Sequence, residues 1–135
     1  MIGTDAPAAN ALKLAGNFLL ASMLETLSEA FALVRKSGVE PAQFLEIVNG
    51  ALFQSPVYEG YGKLMVAERF DPAGFRMRLG LKDVGLVLRA AEALAVPMPI
   101  ASLIRDQMLS AVARGQGDLD WSSLAKIAAE NAGLK

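Results

Sequence analysis

The chain has 135 residues, enough for one domain with its own core, and 53% of them are apolar. Charged residues make up 20% of the chain and the formal net charge is −1, so no overall charge excess indicates binding to nucleic acid or to an anionic membrane. Histidine and cysteine are both absent, which excludes Ser-His triads, thiol nucleophiles, imidazole or thiolate zinc sites, and disulfide frameworks.

The N-terminal sequence does not have the pattern of an export signal. "MIGTDAPAAN" has an acidic residue and a proline where a signal peptide carries positive charge followed by an apolar run. The longest apolar stretch, residues 14–24, covers about eleven residues and is interrupted by Asn17, well short of the roughly twenty that cross a bilayer. We therefore expect a soluble, cytoplasmic protein that binds neither a membrane nor nucleic acid.

The first predicted element is a long helix. Thr4 or Asp5 can cap its N-terminus, Pro7 is tolerated in its first turn, and the pattern continues to "RKSGVEP", where Gly38 ends it. This is a helix of about thirty residues, and apolar side chains cover nearly all of its sides. Such a helix belongs in the middle of a bundle or against a partner.

The rest of the chain also predicts helices, bounded by proline and glycine. The expected segments are 41–50, a broken helix at 56–68 followed by a loop, 79–94, roughly 99–114, and a last helix that Asp120 or Ser122 caps and Gly133 ends. Four methionines at core-like positions are expected to fill gaps: Met65, Met77, Met98 and Met108. No segment alternates as a strand does, so we predict one all-α domain, a helical bundle built around the long N-terminal helix.

Lys13 and Asn17 form the first candidate site. They are four residues apart, so in a helix they lie on one face and could contact one ligand together. A lysine in an apolar helix loses hydration and then exchanges a proton more readily near neutral pH, while the amide can hold a hydroxyl or carbonyl oxygen beside it. The alternative is that Lys13 extends to solvent and Asn17 faces water.

A second candidate is the basic segment "FRMRLGLKDVGLVLR". Arg78, Lys82 and Arg89 fall on one helical face, with Asp83 beside Lys82. This face could bind a phosphate or carboxylate, or it could be ordinary solvated surface.

Glu25 and Glu29 form a carboxylate pair four residues apart in the long apolar helix. Paired carboxylates occur in acid–base and metal sites, but a metal ion would need further ligands from facing helices, and no histidine is present. We therefore expect these two residues at the surface or at the rim of a dimer, and we predict no metal site.

Four segments in this order resemble a known family: "KLAGNFLLASMLETLSEAFAL", "SGVEP", "FRMRLGLKDVGLVLRAAEALAVPMP" and "GDLDWSSL". They resemble the C-terminal all-α domain of the β-hydroxyacid dehydrogenases, which include 3-hydroxyisobutyrate dehydrogenase, tartronate semialdehyde reductase and the glyoxylate/succinic semialdehyde reductases. In that family the motif G-x-x-x-K-x-x-x-N opens the long helix, and "NALKLAGN" matches its lysine and asparagine. The glycine of the motif is Ala9 here.

The resemblance implies roles for five residues. Lys13 would be the catalytic acid/base and Asn17 would orient the substrate, while Phe75, Lys82 and Asp83 would face the nicotinamide and the substrate. The implied reaction is hydride transfer between NAD or NADP and a small hydroxyacid or its semialdehyde. Gly16 replaces the histidine of the related 6-phosphogluconate dehydrogenases, so their substrate is not expected, and Lys13 distinguishes the chain from most imine reductases of this architecture.

The family binds its dinucleotide mainly through an N-terminal Rossmann domain, and these 135 residues contain no strand, glycine-loop and helix unit of that kind. We therefore expect a fragment that binds cofactor weakly and has no turnover alone, and that forms a homodimer or higher oligomer in the complete enzyme. The alternative is a non-enzymatic helical module for dimerisation or partner binding that retains the architecture.

Overall fold

The longest element of the fold is α1, Ala6–Lys36, the N-terminal helix of a computed structural model that describes residues 6–135. The predicted caps Thr4 and Asp5 lie outside the described residues. The helix ends where predicted, because Gly38 adopts a φ of +84°, a conformation that residues with a side chain rarely take.

Five further helices follow α1, and the predicted all-α fold is confirmed. They are α2 (Pro41–Ala51), α3 (Pro56–Ala67), α4 (Met77–Ala93), α5 (Pro99–Ala113) and α6 (Leu124–Asn131), the last preceded by a short 3-10 helix, Trp121–Ser123. Within residues 6–135 the structure has no strand and a single isolated bridge, between Arg76 and Asp120. Proline occupies the first turn of α2, α3 and α5, where its missing N–H leaves no hydrogen bond unmade.

The predicted break in α3 is wrong, because α3 is one continuous helix. The Ser55 side chain caps it by accepting a hydrogen bond from the Val57 N–H, and Glu59 and Lys63 pair one turn apart on its surface at 2.9 Å. Gly62 is buried against the Leu45 side chain of α2, and a Cβ there would overlap it. The glycine thus permits close packing of two helices and does not end the helix.

The core is built from the C-terminal half of α1 and from the helices that surround it. Leu24, Leu27 and Phe31 of α1 are buried, and α1 contacts α4, α5 and α6. The other fully buried large side chains include Met77, Val84, Ile104, Met108, Leu124 and Ile127. The four methionines are in or against this core, as predicted: Met65, Met77 and Met108 are buried and Met98 packs on its edge.

The N-terminal half of α1 is much less covered than the C-terminal half. Leu12 is 56% exposed and Leu19 is 66% exposed, whereas the buried residues of α1 begin at Ala21. By length and composition α1 could also cross a membrane, but the core helix of a globular domain meets the same criteria. The burial of Leu24, Leu27 and Phe31 in the core accounts for the apolar composition of its C-terminal half.

Backbone hydrogen bonds join the loop before α4 to the segment before α6. Met77 N–H donates to the Leu119 carbonyl at 2.8 Å, and Trp121 N–H donates to the Phe75 carbonyl at 2.8 Å. As a result α4 begins at Met77, two residues before the predicted start, and its first turn has a fixed position relative to the 3-10 helix.

Candidate functional site

Two of the predicted site residues meet between α1 and α4. The Asn17 side-chain nitrogen Nδ2 donates to Asp83 Oδ2 at 3.4 Å, and both residues are half-buried. This is a long hydrogen bond, but it joins residues 66 positions apart in the chain. The motif of α1 that contains Asn17 and the motif of α4 that contains Asp83 therefore lie next to each other on the surface.

Lys13 lies one turn before Asn17 on α1 and is exposed. Residues 6–135 therefore do not remove the hydration of Lys13, which agrees with the alternative that its side chain extends to solvent. Within those residues Lys13 makes no ion pair or side-chain hydrogen bond, so its ammonium group is available to a ligand.

The three cations of the predicted face of α4 differ in their contacts. The Arg78 Nε donates to Asp118 Oδ1 at 3.2 Å, and the Arg78 guanidinium packs on Gly117, where a Cβ would lie 2.7 Å from Cζ. Lys82 and Arg89 are exposed, and neither pairs with a carboxylate among the residues that the structure describes. Asp83 is the α4 residue that contacts Asn17. Of the α4 cations, Lys82 is the nearest to it in sequence, because it is the preceding residue.

Phe75 lies in the loop before α4 and is half-buried against Trp121. Their ring centroids are 4.6 Å apart at an interplanar angle of 65°, an edge-to-face packing. Lys13, Lys82 and Phe75 make no hydrogen bond to the Asn17 and Asp83 pair within residues 6–135. The structure therefore brings Asn17 and Asp83 into contact. Lys13 lies on α1, Lys82 on α4 and Phe75 in the loop before α4.

The sequence interpretation missed the full role of Asp120. It was predicted as a cap, and its carboxylate does accept from Ser122 N–H at 2.9 Å; the same carboxylate also accepts from the Gly74 and Phe75 amides at 3.0 and 2.9 Å. The Asp-x-Ser spacing indicated the cap. No local pattern could indicate the other two bonds, because they join segments 45 and 46 residues apart.

The carboxylate pair of α1 is not a surface pair as expected, because Glu25 is only 6% exposed while Glu29 is exposed. Burial raises the pKa of Glu25 to about 8, and a hydrogen bond and charge repulsion from Glu29 add to the rise. Glu25 therefore holds its proton at neutral pH. No cluster of three metal-binding side chains occurs in the described part of the chain.

A separate groove of about 580 Å³ lies between α2 and α3. Its lining is largely apolar and includes Leu45, Asn49 and Leu64. Neither Asn17 nor Asp83 lines this groove. The candidate site on α1 and α4 is therefore distinct from it.

Comparison with known proteins identifies relatives along nearly the whole chain. Residues 7–128 match the family model described as NAD-binding of NADP-dependent 3-hydroxyisobutyrate dehydrogenase. The chain is 50% identical over 125 residues to an uncharacterized oxidoreductase, YfjR, of Bacillus subtilis, covering 93% of this chain and 43% of that protein. It is 31% identical over 114 residues to 2-hydroxy-3-oxopropionate reductase of Escherichia coli, covering 84% and 39% respectively.

A solved structure agrees with the sequence comparisons. The crystal structure of 3-hydroxyisobutyrate dehydrogenase (ygbJ) from Salmonella typhimurium superposes with a TM-score of 0.83 at 28% identity, over 89% of this chain and 42% of that one. The chain thus spans about two fifths of the length of the relatives it matches. Because the family model covers residues 7–128 and the fold agrees, the chain belongs to the β-hydroxyacid dehydrogenase family of nicotinamide-dependent oxidoreductases.

Proposed function

We propose that the chain is the helical domain of an NAD(P)-dependent dehydrogenase that interconverts a small 3-hydroxyacid and its semialdehyde. Lys13 is the acid/base, Asn17 orients the substrate, and Phe75, Lys82 and Asp83 contribute to the cofactor and substrate cleft. The hydrogen bond between Asn17 and Asp83 is the observation that carries the proposal, because it joins the two motifs on which the assignment depends.

The side chains of this site fit a small acid and a nicotinamide. Lys13 and Lys82 offer two exposed cations to a carboxylate and a reacting oxygen, while the half-buried Asn17 and Asp83 offer donors and acceptors. The half-buried Phe75 ring offers an apolar surface for a flat heterocycle. When bound, the nicotinamide supplies the hydride to the carbonyl carbon or accepts it from the alcohol carbon.

The protein residues carry the proton and the orientation. In reduction the Lys13 ammonium donates its proton to the oxygen on which negative charge develops, and in oxidation neutral Lys13 takes the hydroxyl proton. Asn17, one helical turn away, holds the same oxygen or its neighbour so that the proton moves over a short distance. Lys13 is exposed in the described residues, so the dry surroundings that favour this exchange come from substrate, cofactor and a covering domain.

The remainder of the complete polypeptide supplies the dinucleotide-binding part in this proposal. The relatives are more than twice as long as this chain, which leaves room for a Rossmann domain with a pyrophosphate site. We also propose a homodimer or higher oligomer, supported by the uncovered leucines of α1.

The same leucines favour the second candidate function, a partner-binding module without chemistry. Leu12 and Leu19 leave an apolar surface on α1 that another protein could cover. Turnover by the complete polypeptide distinguishes the two functions, since a binding module has none.

The test is an assay of the complete polypeptide, with NADH and NADPH for the reductions and with NAD⁺ and NADP⁺ for the oxidation. The compounds are those in the names of its relatives: 2-hydroxy-3-oxopropionate, glyoxylate, succinic semialdehyde and, for oxidation, 3-hydroxyisobutyrate. Turnover of at least one is expected. Failure of all four with both cofactors would refute the dehydrogenase and favour the partner-binding module.

Two substitutions test the role of Lys13. Lys13→Met keeps the apolar stem without the proton, and Lys13→Arg keeps the charge without exchanging protons near neutral pH. Both are expected to lower kcat by about 10² to 10⁴ with little change in cofactor affinity. Lys63→Ala, at an exposed lysine of α3, is the matched control and should leave kcat unchanged. A Lys13→Met enzyme with the wild-type kcat would refute the role.

A further inference from the structure

Asp120 is a buried carboxylate whose hydrogen-bond partners are amides and a hydroxyl. It is 3% exposed, and among the described residues it pairs with no cation. Oδ2 accepts from the Gly74 and Phe75 amides at 3.0 and 2.9 Å, and Oδ1 accepts from the Ser122 amide at 2.9 Å and from the Ser122 hydroxyl. Removing any one of these four hydrogen-bond donors would disrupt the arrangement, because the buried charge would lose a partner.

The two oxygens of this carboxylate serve two different segments. Oδ2 binds the loop that precedes α4, and Oδ1 binds the 3-10 helix that precedes α6. The backbone strengthens the connection: Asp120 N–H donates to the Phe70 carbonyl at 2.8 Å, and Trp121 N–H donates to the Phe75 carbonyl at 2.8 Å. Asp120 therefore fixes the loop at both its beginning and its end.

Trp121, the next residue, connects the segment that Asp120 holds to the side chains of Phe75 and Tyr61. Its ring packs on Phe75, and its Nε1 donates to the Tyr61 hydroxyl at 2.9 Å. Trp121 also lies against the first turn of α4, because a Cβ on Gly80 would be 2.9 Å from its Cε3. The Phe75 ring and the start of α4 thus have positions that depend on the segment that Asp120 holds.

We propose that Asp120 is a positioning residue, which holds Phe75 and the first turn of α4 in the arrangement that binds the nicotinamide cofactor. The inference rests on the proposed function, because the position of Phe75 affects cofactor binding only if Phe75 contacts the nicotinamide. Asp120 acts through Phe75 and Trp121 and touches neither cofactor nor substrate. No neutral side chain of the same size replaces it, since asparagine offers one acceptor oxygen where two are used.

The test compares Asp120→Asn with two controls in the complete polypeptide. Asp118→Asn changes an exposed carboxylate of the same loop, and Ser122→Ala removes one partner of Oδ1 while the loop amides keep theirs. Asp120→Asn is expected to raise the cofactor KM by about tenfold, as the loss of one or two hydrogen bonds to a charged group allows, with kcat changed less. A residue that only stabilised the fold would lower the active fraction, and hence kcat, without changing KM.

Trp121 is the single tryptophan of these 135 residues. Once any tryptophan elsewhere in the complete polypeptide is replaced by phenylalanine, the emission of Trp121 gives a readout that does not need turnover. Asp120→Asn is expected to shift this emission and to increase its quenching by iodide, whereas Asp118→Asn leaves both unchanged. If the wild type itself has no NAD(P)-dependent turnover, the proposed function fails, and the emission still reports whether Asp120 holds the loop.

Phe75→Leu completes the test and applies even where Asp120→Asn does not fold. It leaves every Asp120 side-chain bond in place, because the one bond to Phe75 is donated by its backbone N–H. Phe75→Leu is expected to raise the cofactor KM by about the same factor, and the double variant to add little, as two residues acting through one contact do. An unchanged cofactor KM in Phe75→Leu, or an equal rise in Ser122→Ala and Asp120→Asn, would overturn the proposal.

Discussion

The amide of Asn17 and the carboxylate of Asp83 meet at 3.4 Å across the contact between α1 and α4. Each residue is half-buried, so one side of the pair packs in the domain and the other remains open to a ligand. In the proposed function Asn17 orients the substrate and Asp83 belongs to the cofactor cleft, so the two members of the pair are expected to respond differently to substitution.

Asn17→Ala removes the amide that, in the proposed function, orients the substrate. In the complete polypeptide we expect kcat/KM for the acid to fall by roughly 10- to 100-fold, because a hydrogen bond to a charged or developing oxygen contributes about 1.5–3 kcal/mol. The free energy of unfolding should change by no more than about 1 kcal/mol, since the bond to Asp83 is long and only half-buried. Steady-state kinetics and urea unfolding measure the two effects.

The control for Asn17→Ala is Asp83→Asn, which leaves the Asn17 amide in place. It should alter the cofactor KM more than the acid KM. An Asn17→Ala enzyme with unchanged kcat/KM would show that the asparagine only supports the packing of α1 on α4.

Gly80→Ala tests the packing of α4 on Trp121. The added Cβ would be 2.9 Å from the indole Cε3, and the ring is held by Phe75 and the Tyr61 hydroxyl. We expect the free energy of unfolding to fall by about 1–2 kcal/mol, because overpacking outweighs the better helix propensity of alanine.

Gly85→Ala is the matched control in the same helix. Its Cβ would meet only the end of the Arg89 side chain, at an ordinary 3.7 Å. It should therefore raise the free energy of unfolding by about 0.5–1 kcal/mol. Urea unfolding of the two variants should give opposite signs, and equal stabilisation would contradict close packing at Gly80.

The sequence predicted most of the fold because helix boundaries depend on local chemistry. Gly38, Pro41, Pro56 and Pro99 restrict their own backbone, so each boundary could be assigned from a few neighbouring residues. The continuity of α3 was not predictable in this way, because Gly62 lies inside the helix and packs against Leu45 of another helix.

The site was less predictable because its properties come from distant contacts. The meeting of Asn17 with Asp83 followed only from the family resemblance, and the bond from Phe75 to Asp120 followed from nothing local. Glu25 was wrongly expected at the surface, and the sequence left open whether Lys13 is desolvated or extends to solvent. Both residues are in one apolar helix, and which part of it is covered depends on where the other helices pack.

Glu25 should make the stability of the chain fall as pH rises through neutrality. The unfolded chain loses this proton near the ordinary pKa of 4.5, whereas the folded chain keeps it until about pH 8. Between these values the folded state binds more protons than the unfolded state, so the free energy of unfolding decreases with increasing pH. Above about pH 8 both states are ionised and the full cost of the buried charge remains.

Glu25→Gln isolates this effect from other titrating groups. At pH 8.5 (about half a unit above the folded pKa) the variant should be more stable than the wild type by on the order of 1–3 kcal/mol. The difference should shrink toward pH 5 (roughly the unfolded pKa). Glu29→Gln should lower the pKa of Glu25 and move the upper end of the window to lower pH, because Glu29 contributes to the rise. Parallel stability curves for Glu25→Gln and the wild type would contradict the buried, protonated carboxyl.

The isolated 135-residue chain should bind NADH and NADPH weakly and turn over none of the four compounds. The part of the chain that the structure describes, residues 6–135, contains no strand followed by a glycine-rich loop and helix, the unit that binds a dinucleotide pyrophosphate. In the proposed function Lys82 and Phe75 contact only the nicotinamide end, and a few such contacts do not offset the entropy lost on binding. Quenching of Trp121 by added cofactor measures the affinity directly, since no other tryptophan contributes. Saturable binding at micromolar concentration would show that this domain holds the cofactor by itself.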